Sequence, residues 1–218
     1  MNLTEHQLRF FDVFGFLRFP GLFAPDISRI SERFDAVYER HAGDIVEWVH
    51  ATHENRMRRF IPQFLHRDEY LRTLIDDPRI TGIASALLGH PYRLNGSDGS
   101  VYDCGTLYHS DGYGADMSVL NVKMALYLEP VDAASGAIRV IPGTHHATDA
   151  FSVKLNDVLY RNMESMPEAF GAPIAEVPSY VLASEPGDLL LWNYRLLHAS
   201  CWSGNRRRMI AVEFSQAR

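Results

Sequence analysis

Val101-Tyr102-Asp103-Cys104-Gly105-Thr106-Leu107-Tyr108-His109-Ser110-Asp111 is the stretch on which the fold and the chemistry of this chain both turn. Val101 to Tyr108 is a β-type run, and it leads directly into His109-x-Asp111 and the loop Gly112-Tyr113-Gly114. Residues i and i+2 of a strand face the same way, whereas on a helix they diverge, so a strand lets His109 and Asp111 look into one interior. A second H-x-D, His66-Arg67-Asp68, lies where a loop enters a helical stretch and is expected to be structural.

Outward from this stretch the two halves of the chain differ in texture. After Gly89 come further short β-type runs parted by turn residues: Val119 to Leu128, Ala137 to Ile141, Tyr180 to Leu182, Asp188 to Trp192 and Arg208 to Phe214. Before it, Thr4 and Gln7 form a capping box ahead of a helix that should stop at Gly15. A short strand-like run, Phe16 to Phe19, is closed by Pro20-Gly21. Ile27, Ile30, Phe34 and Val37 then mark a helix starting near Pro25-Asp26. Residues 44–67 follow neither period, and Asp68 to Leu88 is helical again with a break at Pro78. Helices first and strands afterwards predict an α+β, mainly β chain in which helices cover one face of a sandwich or barrel. A single domain is expected over 1–218, mostly helical over 1–90 with the sheet core over 91–218. No G-x-G-x-x-G, Walker loop, H-E-x-x-H or G-x-S-x-G occurs.

Composition narrows the function. The 218 residues are 46% hydrophobic and 22% charged, a globular balance, and the formal charge of −6 argues against nucleic acid or an anionic membrane as the main partner. A small molecule is the expected partner; nothing in the pattern signals an oligomeric state. Cys104 and Cys201 cannot make a disulfide framework and belong to no C-x-x-C pair. With no basic stretch leading into an apolar segment at the start, the expectation is a soluble, cytoplasmic protein. Lys123 and Lys154 are the sole lysines among 21 basic residues.

His109 and Asp111 need a third ligand from elsewhere to make the 2-His-1-carboxylate face that suits non-haem Fe(II) and leaves coordination positions open. His198, just after the Asp188 to Trp192 run, is the best candidate. Beyond it Arg206-Arg207-Arg208 abuts the apolar Met209-Ile210-Ala211-Val212. If a strand starts there, alternation turns one or two of these arginines inward, where a guanidinium can hold a carboxylate bidentately.

Taken together, His109-x-Asp111, the Gly136 to His145 stretch GAIRVIPGTH, Gly187-Asp188 ahead of His198, and the arginine strand resemble the phytanoyl-CoA dioxygenase family of Fe(II)- and 2-oxoglutarate-dependent oxygenases. The opening from Thr4 to Gly21 looks like that family too, so the resemblance spans nearly the whole chain. It implies a double-stranded β-helix, the cupin-like jelly roll, with flanking N-terminal helices. It implies His109, Asp111 and His198 as ligands of Fe(II), with 2-oxoglutarate and O₂ as cosubstrates and succinate and CO₂ as products. Counting back from Phe214, the 2-oxoglutarate arginine falls on Arg207, with Arg206 and Arg208 as the neighbouring registers. Ser200 matches a position that contacts the same cosubstrate, and Lys123, in the strand Asn121 to Leu128, is the alternative partner for its carboxylate, as lysines on a comparable strand are in related oxygenases. Asp111 stands where halogenating relatives have a small residue. Thr144-His145 belongs to a turn that is expected to be structural.

The residues leave a second class open: a cupin-type metal protein, isomerase or dioxygenase, that does not use 2-oxoglutarate. That alternative has no reason for an inward Arg207. Arg56, Arg58, Arg59 and Arg67 are the basic concentration of the first half, expected as a solvated surface or else as an anion site. That is little apparatus for a CoA thioester, so a compact free metabolite is the expected substrate.

Overall fold

The computed structural model describes residues 1–49, 57–103, 105–112, 116, 118–146, 178–200 and 206–217. Arg56, Cys104, Tyr113, Gly114, Lys154 and Cys201 lie outside the described residues.

The helices are α1 (Glu5–Phe14), α2 (Ile27–Arg40), α3 (Glu69–Thr73) and α4 (Pro78–Leu88). The strands are β1 (Phe16–Phe19), β2 (Val46–Val49), β3 (Met57–Pro62), β4 (Tyr92–Tyr102), β5 (Thr106–His109), β6 (Asn121–Tyr127), β7 (Ile138–Val140), β8 (Tyr180–Leu182), β9 (Leu189–Asn193), β10 (His198–Ser200) and β11 (Arg207–Gln216). They form a seven-stranded sheet in the order β1-β9-β6-β11-β4-β3-β2 and a four-stranded sheet in the order β5-β10-β7-β8. From β4 onward the chain passes large, small, large, small, small, large, small, large. With antiparallel pairing throughout, this is the path of the expected jelly roll.

Alternation along β11 explains the layers. Ile210, Val212 and Phe214 join Met124, Leu126 and Leu191 under Ile30, Phe34, Val37, Ile83 and Leu88 of the helices. Met209 and Ala211 face the other way and meet Ala125, Leu190, Ile138, Val140 and Leu182 between the sheets. The large sheet is thus covered by helices outside and by the small sheet inside, so β11 is apolar on both faces.

Local chemistry sets the helix ends. Thr4 Oγ1 accepts from Gln7 N at 3.2 Å while Gln7 Oε1 accepts from Thr4 N at 2.9 Å, and α1 stops at Gly15, whose φ of +82° suits glycine. Asp77 Oδ1 accepts from Arg79 N at 2.8 Å, and Pro78 at the first helical position opens α4.

Three sequence expectations are corrected. The first 90 residues hold more strand than expected, because the stretch 44–67, which followed neither period, supplies β2 and β3 at the edge of the large sheet opposite the expected β1. Val101 to Tyr108 is no single strand: β4 ends at Tyr102 in the large sheet and β5 starts at Thr106 in the small one. Most of β4, Tyr92 to Ser100, went unread because it is polar and glycine-rich, yet it pairs with β11 on one side and β3 on the other. Its inward positions hold Asp98, Ser100 and Tyr102, so the period-2 apolar signal is missing from a central strand.

Candidate active site

The site forms where the small sheet opens toward the large one. His198 on β10 is the Cα partner of His109 on β5, and their rings lie 4.4 Å apart. The strand ends at His109, but Asp111 N donates to Tyr194 O at 2.8 Å, which holds Asp111 where its side chain reaches the two histidines. One ligand atom from each of His109, Asp111 and His198 lies within 4.8 Å of the others, a cluster that can hold a metal ion. His109 and His198 are buried, and the Asp111 side chain is 11% exposed.

Neighbouring groups fix the donors. His198 Nδ1 sits 2.9 Å from Leu196 O; a carbonyl only accepts, so Nδ1 carries the hydrogen and Nε2 keeps its lone pair, 3.6 Å from Asp111 Oδ2. Burial pushes the His198 imidazole below its ordinary value, leaving it neutral at pH 7, as a ligand must be. Asp111 has both oxygens engaged: Oδ1 with Lys123 Nζ at 3.1 Å and Oδ2 with Trp192 Nε1 at 2.8 Å. Burial alone would raise its carboxyl, but Lys123, the two histidines and the Trp192 hydrogen bond outweigh it and hold the group well below the usual carboxylate range. Lys123 also meets Glu213 Oε1 at 3.1 Å. Burial pulls this ammonium down, and the two carboxylates more than restore it, so it stays charged.

The three arginines separate by alternation. Arg207 is 1% exposed and points between the sheets, its guanidinium carbon 5.2 Å from the Tyr102 ring centre. Arg208 takes the outer face, where Nε meets Glu129 Oε1 at 2.6 Å and Nη1 meets Asp35 Oδ2 at 2.7 Å. Arg206 is exposed. Gly136, at φ +98°, leaves room for Arg207: a Cβ there would lie 2.7 Å from the guanidinium carbon. Ser200, two residues past His198, is the Cα partner of Ile138 and of Thr106, whose Oγ1 accepts from Ser200 N at 2.8 Å.

The other motif residues are scaffold. Asp188 is 3% exposed; it accepts from Arg18 Nη2 at 2.7 Å and from Gly21 N at 2.7 Å, tying β9 to the turn after β1. A Cβ on Gly187, at φ +98°, would lie 2.6 Å from the Ala24 backbone. Thr144 Oγ1 bonds Ile141 O at 2.7 Å and Leu197 N at 3.0 Å, and His145 Nε2 lies 2.9 Å from Asp12 O, so this turn buttresses the residue beside His198. His66 is exposed, while Asp68 caps α3 by accepting from Tyr70 N and Leu71 N. Arg67 pairs with Asp44 at 3.0 Å on the surface. Arg58 turns inward to Asp98 at 3.0 Å, against the expectation of a solvated group. Sequence reading missed Trp192, Thr106 and Gly136 as residues of the site. Gly136 stood in a recognised motif, and the alternation of Leu190 and Trp192 on β9 was the signal available for the tryptophan.

Comparison with known proteins fits this geometry. The profile of the phytanoyl-CoA dioxygenase family (PhyH) matches residues 11–209. L-proline trans-4-hydroxylase from Streptomyces griseoviridis is 25% identical over 154 residues, 61% of this chain; the match spans 52% of that relative, so the chain spans about half its length. Among solved structures, HygX from Streptomyces hygroscopicus, with nickel and 2-oxoglutarate bound, is similar with a TM-score of 0.75 at 20% identity over 100% of this chain and 88% of the other. The non-heme alpha ketoglutarate dependent carbocyclase SnoK, from nogalamycin biosynthesis, gives 0.72 at 22% identity over 99% and 85%. EctD from S. alaskensis gives 0.74 at 18% over 98% and 77%. With the jelly-roll path, the His-Asp-His face and a profile match running from α1 into β11, this chain belongs to the phytanoyl-CoA dioxygenase family.

Proposed function

We propose that the protein is an Fe(II)- and 2-oxoglutarate-dependent dioxygenase that hydroxylates or otherwise oxidises a small organic metabolite. The observation that carries this is the buried His109-Asp111-His198 face within one sandwich that also buries Arg207. The donor set fits the ion: two imidazoles and one carboxylate suit non-haem Fe(II) and leave coordination positions for a cosubstrate and O₂. When bound, iron with 2-oxoglutarate and O₂ supplies oxidative decarboxylation to succinate and CO₂ coupled to oxidation of a substrate C–H bond.

The chain's own residues do the rest. His109, Asp111 and His198 bind the metal, with Trp192 and Lys123 orienting Asp111 from either oxygen. Arg207, always charged, takes the distal carboxylate of 2-oxoglutarate, and the Ser200 hydroxyl assists it from β10. Lys123 was the alternative partner for that carboxylate. It stands at Glu213 on the β11 register, six residues from Arg207 and so about 20 Å along the strand. We therefore read it as orienting Asp111. Leu190, Met209 and Ala211 keep the floor of the sandwich apolar and dry. Arg207 favours this reading over a cupin-type protein without 2-oxoglutarate, because strand alternation turns its guanidinium between the sheets, where it can hold a cosubstrate carboxylate bidentately, and that alternative has no use for it there. A cytoplasmic location belongs to the same reading, and a sequence with two cysteines in no C-x-x-C pair and no disulfide framework accords with it. No helix among the described residues is long and apolar enough to cross a membrane.

Anaerobic titration of the protein with Fe(II) and 2-oxoglutarate, followed by a succinate-release screen, tests the reading. Both should bind, and Asp111→Ala should lose metal binding while His66→Ala keeps it. Saturable Fe(II) binding with no affinity for 2-oxoglutarate would select the cupin alternative.

A further inference from the structure

A β-sandwich interior is ordinarily apolar, and the floor of this one is, at Ala125, Leu190, Met209 and Ala211. Toward the β3 edge the same inward face changes character. Register places Asp98 beside Ala211, Ser100 beside Met209 and Tyr102 beside Arg207 on β4, with Phe60 opposite Ser100 on β3 and Arg58 two residues before it on the same face. Arg58 Nη2 donates to Asp98 Oδ2 at 3.0 Å and to Ser100 Oγ at 3.1 Å, and its guanidinium carbon lies 4.3 Å from the Phe60 ring centre. Its side chain is 12% exposed, Asp98 is 24% exposed, and Arg58 Nε is buried with no hydrogen-bond partner among the described residues. Arg58 lies within electrostatic range of Asp111, and Asp98 within range of Lys123 and Glu213. This wall therefore looks onto the metal face from the side away from the small sheet.

Neither Arg58 nor Asp98 has a task in holding metal or 2-oxoglutarate. A half-buried ion pair is a poor way to gain stability, since apolar residues of the same volume cost less desolvation. Among the described residues the charges also balance: Arg58, Lys123 and Arg207 stand against Asp98, Asp111 and Glu213, while Fe(II) would cancel the 2-oxoglutarate dianion. A chamber so neutral favours an occupant without net charge, and one that offers a cation and a carboxylate side by side favours an occupant with both signs.

Resting on the dioxygenase reading, the geometry points to Arg58 and Asp98 as the substrate subsite, Arg58 receiving a carboxylate and Asp98 an ammonium, so that the substrate is a small zwitterion of the α-amino-acid class. The oxidised carbon then lies on the side chain, between this wall and the metal face. Arg58 is a specificity residue and takes no part in the redox step.

Equilibrium dialysis or calorimetry on protein loaded with nickel(II) and 2-oxoglutarate tests this without turnover, using a panel of proteinogenic and common non-proteinogenic α-amino acids with their methyl esters and N-acetyl derivatives. At least one free amino acid should bind about thirty-fold or more tighter than its ester and its N-acetyl form. Arg58→Met should erase the preference over the ester, and Asp98→Asn the preference over the N-acetyl form, each with 2-oxoglutarate affinity kept. The surface variant Arg67→Met should change neither. The inference falls if 2-oxoglutarate binds and no free amino acid does, if ester and acid bind alike, or if the two variants lower melting temperature and 2-oxoglutarate affinity together, the mark of a structural pair. Failure of 2-oxoglutarate itself to bind would instead overturn the dioxygenase reading beneath it.

Discussion

At the residue scale, a single backbone position controls whether Arg207 can work. Its guanidinium fills the space that a side chain on Gly136 would occupy, and φ of +98° already disfavours any other residue there. Arg207→Ala should therefore raise the KM for 2-oxoglutarate steeply, by the equivalent of about 2–5 kcal/mol of lost charge-assisted contact. Gly136→Ala should raise it too, by displacing the arginine. Arg206→Ala and Arg208→Ala should leave it nearly unchanged, since those groups face solvent and the helical side; steady-state kinetics with 2-oxoglutarate varied would show a different order if another register were in use. Lys123 gives a second test. Lys123→Met should alter metal affinity with little change in the KM for 2-oxoglutarate, and Trp192→Phe should weaken metal binding by about 10–100-fold, as loss of an orienting partner does. A steep rise in that KM for Lys123→Met would make the lysine a cosubstrate ligand.

Among elements, α4 shows how one carboxylate sets both a helix start and an acid limit. Asp77 Oδ1 caps Arg79 N while Oδ2 meets Arg79 Nη2 at 2.6 Å, and Arg79 Nη1 reaches Asp26 at 2.8 Å, joining α4 to the start of α2. The Arg79 hydrogen bond, against the opposing effect of burial, holds the Asp77 carboxyl below its ordinary 3.8. A carboxyl lowered on folding adds stability in full above its unfolded value of 3.8 and loses it as pH falls through the folded value. Melting temperature should thus fall more steeply below about pH 4 in the parent protein than in Asp77→Asn, which should be less stable near pH 7 by roughly 1 kcal/mol for the weakened cap. Parallel acid limbs in the two proteins would show that the pair is energetically silent. The same elements show what was legible beforehand. The capping box of α1, its stop at Gly15 and the break at Pro78 are short-range signals, each complete within a few residues. By contrast β3 and β4 carry Arg58, Asp98 and Ser100 inward, and no local pattern announces a strand whose inner face lines a polar chamber.

For the whole molecule, the arrangement of charge bears on the size of substrate. The basic concentration of the first half does not form one surface among the described residues: Arg58 turns in to Asp98, and Arg67 is paired with Asp44. With a net charge of −6, little remains to hold the phosphates and long arm of a CoA thioester. Succinate release should accordingly favour free acids over the matching acyl-CoA thioesters, and a clear preference for thioesters that Arg59→Ala abolishes would reverse that view. What the sequence determined by itself is the order of its landmarks: His109-x-Asp111, the Gly136 to His145 turn, Gly187-Asp188, His198 and Arg207, in the succession that a jelly roll needs, because residue type and spacing survive without knowledge of partners. Only the tertiary structure decided which residues meet. Asp111 lies between Lys123 and Trp192, Gly136 beneath Arg207, and Arg58 beside Asp98, contacts between strands distant along the chain, and such pairings are set by register and sheet closure, which no window of sequence contains.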